Sequence, residues 1–245
     1  MKAMFQKLLL VSLLAFANSK KSAGSFFPPG SGVTLNLPDD QFEAATGRED
    51  LLMLLYVFDS EQDRSNQLTQ QALNPVLEEL KGYFKVYAFD CQTPEVAGSQ
   101  RFKVICEKED NHPFFQLLKP PEMKINPYTK KPMAPTGIQY NEREVTPQKF
   151  KNYVLANLPD FSVKLDSLKK VNEFTGAEDD KDTNRVILFS KKGKTPPVYK
   201  VLTSAFRDRI RFGFVSSDSA DVVNEFGVTE FPTILALKSF EPSDN

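Results

Sequence analysis

The run Leu51-Leu52-Met53-Leu54-Leu55-Tyr56-Val57-Phe58 constrains the fold of this chain more than any other stretch. A continuous apolar run of this kind is the pattern of a strand buried on both faces, as in a parallel sheet covered by helices on its two sides. The neighbouring pattern agrees. Val33–Leu37 reads as a strand, and Asp39-Asp40 as the cap of a short helix over Gln41–Thr46. Beyond the apolar run a helix is expected over Asn66–Tyr83, because Leu68, Ala72, Val76 and Leu80 fall four apart and Leu73 and Leu77 widen the stripe. Pro75 lies inside it and predicts a kink. Tyr83–Phe89 is a strand, Glu95–Phe102 a shorter helix, and Phe114–Leu118 a strand. Strand and helix alternate as βαβ units, which predicts an α/β sheet.

Lys119–Thr136 interrupts this order with Pro120, Pro121, Pro127, Pro132 and Pro135, and reads as a surface insertion. After a short edge strand at Gln139–Asn141, Val145–Leu158 has the marks of a helix, with Thr146 as cap and Pro147 at its first position. Pro159-Asp160 ends it, and a domain boundary is expected there. The same order then returns. Strands are expected at Val163–Leu165, Arg185–Ser190, Ile210–Val215 and Thr233–Leu237. Helices are expected at Ser167–Thr175, at Pro196–Arg209 with Tyr199, Leu202 and Phe206 aligned, and at Ser219–Phe226. The expected organisation is a first domain over 33–158 carrying the insertion 119–136, and a second over 159–245.

The first nineteen residues read as a secretory signal. Lys2 and Lys7 precede the apolar stretch Leu8–Ala17, and Ala15-Phe16-Ala17 supplies small residues for a peptidase. The stretch is well short of the ~20 apolar residues of a spanning helix, so no stable membrane span is expected after cleavage. Residues 20–32, rich in Ser, Gly and Pro, read as an extended leader. An oxidising compartment follows from the signal, with the endoplasmic reticulum lumen or secretion as the expected destination. A net charge of -1 leaves no electrostatic footprint for nucleic acid. Two cysteines and one histidine are too few for an ordinary structural zinc site, so no metal and no cofactor are expected.

Phe226-Gly227-Val228-Thr229-Glu230-Phe231-Pro232-Thr233-Ile234 resembles the helix, turn and cis-proline strand of the thioredoxin superfamily, as found in protein disulfide isomerases. Lys194-Thr195-Pro196-Pro197 through Phe212-Gly213 is similar to the redox-silent thioredoxin-like domains of larger folding factors. The resemblance covers essentially all of the chain beyond the signal. It implies two tandem thioredoxin-like domains, each a central mixed β-sheet flanked by helices, the second lacking its final strand and helix. Pro113, in His112-Pro113, and Pro232 take the places of the cis-prolines. Pro75 matches the kinking proline of the redox helix, and counting back puts Gln67-Leu68-Thr69-Gln70 where Cys-x-x-Cys should stand.

That substitution changes the chemistry. Disulfide exchange needs a thiolate, and a carboxamide neither ionises nor forms a mixed disulfide. The second domain has no cysteine at all. The resemblance therefore implies a redox-inactive protein of the secretory pathway, leaning away from an enzyme, that binds unfolded or partner polypeptides near His112 and Phe231. The same resemblance places Cys91 and Cys106 as a structural disulfide, with two free thiols or a functional redox pair as the alternatives. His112 reads either as a peptide contact or luminal pH sensor, or as a polar residue satisfied locally. Glu178-Asp179-Asp180-Lys181-Asp182 lacks the spacing of a calcium loop and reads as solvated. The rival functions are a thiol–disulfide oxidoreductase working through Cys91 and Cys106, and a structural scaffold subunit docking a partner at the incomplete second domain.

Overall fold

The computed structural model describes residues 26–108, 113–120, 136–141, 144–176 and 184–237. The expected signal, the acidic run 178–182, His112, most of the proline-rich insertion and residues 238–245 lie outside them.

Two mixed sheets organise these residues. The first contains β1 (Val33–Leu35), β2 (Leu52–Phe58), β3 (Phe84–Asp90), β4 (Phe114–Leu118) and β5 (Gly137–Gln139), in the order β1-β3-β2-β4-β5. β1 and β2 run parallel to β3, and β4 runs antiparallel to β2. The second contains β6 (Val163–Lys164), β7 (Asn184–Ser190), β8 (Ile210–Ser216) and β9 (Thr233–Leu237), in the order β6-β8-β7-β9. Its pairings repeat the first: β6 and β7 parallel to β8, β9 antiparallel to β7. The chain is thus an α/β protein in which one strand order occurs twice.

Every residue of β2 is buried. The pleat divides them: Leu52, Leu54, Tyr56 and Phe58 enter one apolar cluster, Met53, Leu55 and Val57 another on the opposite face. Helix α1 (Asp39–Thr46), with α4 (Pro94–Ala97) and α5 (Lys103–Cys106), closes the second of these through Phe42, Val96 and Phe102. The other face is covered by α2 (Asp63–Leu68), a π-helical turn Thr69–Leu73, α3 (Asn74–Glu79) and α6 (Pro147–Asn157). The second sheet splits likewise. Ile187 and Phe189 face α7 (Leu168–Thr175) and α9 (Ala220–Glu225), while Leu188 faces α8 (Pro197–Ala205). At Gly213 in β8 a Cβ would come within 2.7 Å of the Leu165 side chain, so only glycine lets the neighbouring segment approach this closely.

Several local expectations are corrected. Phe26 and Phe27, placed in an extended leader, are buried against Tyr56 and Phe58, because two aromatic rings bury more area than a short leader could leave in water. Asp39 is not a cap: Pro38 holds that position, and the Asp39 carboxylate accepts the Ser99 hydroxyl instead. Pro75 sits in the first turn of α3 directly after the π-helical turn. Widening the preceding turn accommodates the missing N–H and the ring's clash with the carbonyl four residues back. The helix expected over 95–102 is only one turn long, over 94–97, and a second short helix over 103–106 ends at Cys106. The cap at Thr146 is as the sequence indicates, and Ser167, expected as the first residue of its helix, is its cap; each accepts from the amide three residues on.

Helix α8 also touches the first half of the chain. Ser204 donates to the Asp50 carbonyl, Arg207 pairs with the Asp50 carboxylate at 2.9 Å, and Val201 packs against the first core. Thr203 accepts the Phe161 amide at 3.1 Å. With these residues turned toward the rest of the chain, Val198 and Leu202 are left facing outward, 55% and 39% exposed.

Candidate functional site

In the first sheet's unit, Gln67 lies in the last turn of α2 and Gln70 in the π-helical turn, both exposed to solvent. Behind them is a closed, neutral network. Thr69 donates to the Ser65 carbonyl at 2.7 Å, and its oxygen lies 2.7 Å from the Tyr56 hydroxyl, with which it shares a hydrogen bond. Tyr56, Ser65 and Thr69 are each fully buried. Burial pushes the Tyr56 phenol well above its ordinary range, the Thr69 hydrogen bond opposing this and the charge of Asp90 adding to it. Asp90, also buried, accepts the amides of Ser60 and Gln92, both at 3.1 Å, and so ties down the strand ends. Beneath Gln67-Leu68-Thr69-Gln70 the Tyr56 and Thr69 hydroxyls engage each other, and no thiol stands there.

Cys91 and Cys106 are joined by a disulfide, their Cα atoms 5.4 Å apart. The bond ties the end of β3 to the end of α5 on the opposite face of the sheet from the α2 helix, and both residues pack beside the cluster around Phe89 and Phe102. A small cavity of about 260 Å³ nearby is bounded by Asn36, Asp39 and Thr93, whose polar atoms are already paired: Asn36 donates to Thr93 and Asp39 accepts from Ser99.

The second unit has a different feature. The Phe231–Pro232 peptide bond is cis, and it follows the turn in which Gly227 takes φ +60°. The bond stands opposite the N-terminal turn of α8, and a groove of about 410 Å³ lies between them. Its walls are Leu188 and Tyr199 at the base, Val198 and Leu202 from α8, and Phe231 with Ile234 from the cis-proline side. Ile234 pairs across the sheet with Leu188, yet it is 59% exposed where Leu188 is buried, because α8 covers β7 and not β9. Tyr199 anchors the floor, its hydroxyl reaching the Gly213 carbonyl at 2.8 Å and that of Val186 at 3.2 Å. Desolvation raises its pKa strongly. At one end the groove is flanked by Lys191 and Lys192.

Of the expected site residues, the structure joins Cys91 to Cys106 and sets Phe231 and Pro232 in a groove. Gln67 and Gln70 stand on the surface of the other unit. The His112–Pro113 bond lies outside the described residues. Val198, Leu202, Ile234, Lys191 and Lys192 were not foreseen as site residues. One signal was readable: α8 carries apolar residues at 198, 199, 201 and 202, so its apolar surface goes round the helix and exceeds what one core can cover. Leu202, aligned in the sequence with the buried Tyr199, in fact faces the groove. Among the described residues no group of three or more His, Cys, Asp or Glu could hold a metal ion, and no helix is long and apolar enough to cross a membrane.

The buried phenols give a pH dependence. Tyr56 and Tyr199, with Tyr153 and Tyr87 in the same sense, hold their protons more tightly when folded, desolvation being the first cause in each. Their folded pKa values lie above the unfolded value near 10, so the stabilisation is complete below about pH 10 and is lost as pH rises beyond it. The urea midpoint is expected to be level from pH 7 to 9 and to fall above pH 10, less steeply in Tyr199→Phe. A midpoint unchanged at pH 10.5 would contradict this.

Residues 163–243 match the thioredoxin-like family described as "A6-like, middle domain". A candidate protein disulfide-isomerase of Dictyostelium discoideum is 28% identical over 162 residues, 64% of this chain and 34% of that protein. The chain therefore spans about a third of the length of this curated relative. A crystal structure of ERdj5 (form II) aligns with 86% of this chain and 26% of its own at 17% identity and TM-score 0.49. Human ERp44 in a zinc-bound form aligns with 86% of this chain and 51% of its own at 13% identity and TM-score 0.38.

Proposed function

We propose that this chain, a thioredoxin-superfamily protein of the protein disulfide isomerase-like kind, binds polypeptides without catalysing disulfide exchange, as a folding factor of the secretory pathway. The observation that carries this reading is the apolar groove beside the cis Phe231–Pro232 bond, where no thiol stands. A cleft lined by Val198, Leu202, Phe231 and Ile234 offers apolar side chains of another chain a place out of water, at ~25 cal/mol per Å² of area removed. Glutamine at positions 67 and 70 supports the loss of redox work, because neither carboxamide can supply a thiolate. The joined pair Cys91–Cys106 supports a scaffold role for the remaining sulfurs, and with the Lys2–Ala17 pattern it supports an oxidising compartment.

The purified chain is expected to slow aggregation of a reduced, denatured client and to show no insulin-reducing activity above background. The Ile234→Asp variant, changed at an exposed position, is expected to fold normally and to lose the aggregation suppression. Insulin reduction that disappears in Cys91→Ser would overturn the reading in favour of an oxidoreductase. Full suppression by Ile234→Asp would remove the groove from it.

A further inference from the structure

The groove beside Pro232 is charged at one end only. Lys191 and Lys192, in the turn between β7 and α8, are the charged residues in its lining among the described residues, and no described carboxylate lines it. Both side chains are exposed, and the exposed Lys194 stands in the same turn. None of the three makes an ion pair among the described residues. Elsewhere on the described chain some surface cations do have a carboxylate partner, among them Arg101 by Asp39, Lys103 by Glu107, Lys151 by Glu79 and Arg207 by Asp50. Apart from Ser190 and the Tyr199 ring, the remaining described lining is aliphatic, Phe or Pro, from Leu188 to Ile234. An apolar trough that ends in unneutralised lysines complements a ligand with the reverse order of charge.

We propose that the groove selects polypeptide segments in which large apolar side chains are flanked by acidic residues, the apolar groups seated on Val198, Leu202 and Ile234 and the carboxylates reaching Lys191 and Lys192. This deepens the polypeptide-binding reading and rests on it. Apolar contact supplies the affinity, and the lysines supply the discrimination, because exposed charges act mainly on choice of partner and on association. Two exposed lysines can change affinity only modestly, by a factor on the order of five between acidic and uncharged flanks. The same charges disfavour basic flanks. The preference weakens as salt shortens the screening length from ~10 Å at 0.1 M to ~3 Å at 1 M.

The test is fluorescence anisotropy of the full chain with three labelled peptides that share one Phe-Leu core. They differ in their flanks, which are glutamate, glutamine or lysine. The acidic peptide is expected to bind about five-fold more tightly than the glutamine peptide at low salt, and the lysine peptide more weakly than both. In the double variant Lys191→Gln/Lys192→Gln the acidic preference should vanish while the affinity of the glutamine peptide stays unchanged. Equal binding of the three peptides, or a preference that survives in the double variant, overturns the charge selection and leaves the polypeptide-binding reading standing. Failure of all three to bind, with normal circular dichroism, overturns that reading itself. Ile234→Asp, expected to abolish binding of all three, shows that the groove is the place where they bind.

Discussion

Replacement of Tyr56 by alanine is expected to destabilise the first unit by about 3–5 kcal/mol, the range for removing a large, fully buried aromatic side chain. Its ring lies stacked between Phe58 and Phe115, with centroids 5.0 and 4.6 Å away, and Phe27 meets it edge-on at 6.5 Å. Removing it opens a cavity at the junction of β2, β4 and the α2 helix, and also strips the Thr69 hydroxyl of a hydrogen-bond partner. Tyr56→Phe keeps the stack and deletes only the hydroxyl, so it should cost about 1 kcal/mol, the ordinary worth of one hydrogen bond. Urea denaturation of the two variants separates packing from hydrogen bonding. If Tyr56→Ala loses less than Tyr56→Phe, the stack is not what holds this side of the sheet.

Loss of the Cys91–Cys106 bond is expected to have the next largest effect, about 3 kcal/mol, because it closes a loop with a sequence separation of 15 and restrains mainly the unfolded chain. Non-reducing thiol titration of the folded protein should find no free thiol. Denaturation with and without reductant, or of the double variant Cys91→Ser/Cys106→Ser, should show the loss in the transition of the first unit. The contacts around Phe42, Phe89 and Phe102 lie next to the bond, so α4 and α5 are the elements expected to loosen first. Equal stability of oxidised and reduced protein would show that these short helices hold their place without the tie.

Much of the architecture was legible because it rests on period and punctuation. The apolar run 51–58 declared a strand hidden on both faces, and the repeated order of strand and helix declared two similar sheets. Thr146 with Pro147 and Ser167 marked helix starts, because a cap acts on amides only a few residues away. What escaped was longer in range. Nothing local to Phe26-Phe27 says that these rings return to pack on Tyr56 and Phe58. Tyr199, Leu202 and Phe206 align along one side in the sequence, although α8 divides its apolar surface among the second sheet, the first unit and the groove. The Asp39 carboxylate was assigned to a cap, whereas Ser99, sixty residues away, takes it up.

The candidate site shows the same division. That residues 67 and 70 carry no thiol, and that the second half of the chain contains no cysteine, follows from residue identity alone, and no fold could restore the missing sulfur. The Phe-Gly-Val-Thr-Glu-Phe-Pro stretch likewise announced its turn, since glycine alone enters a positive φ at little cost and an X–Pro bond alone turns cis readily. Which apolar residues stay uncovered is a matter of what else packs nearby. Ile234 and Leu188 are both aliphatic and directly paired, and only the position of α8 buries one and exposes the other. Burial is a property of neighbours brought from far along the chain, so the groove, its lysine end and the closed hydroxyl network under Gln67–Gln70 exist only once both sheets have closed around their helices.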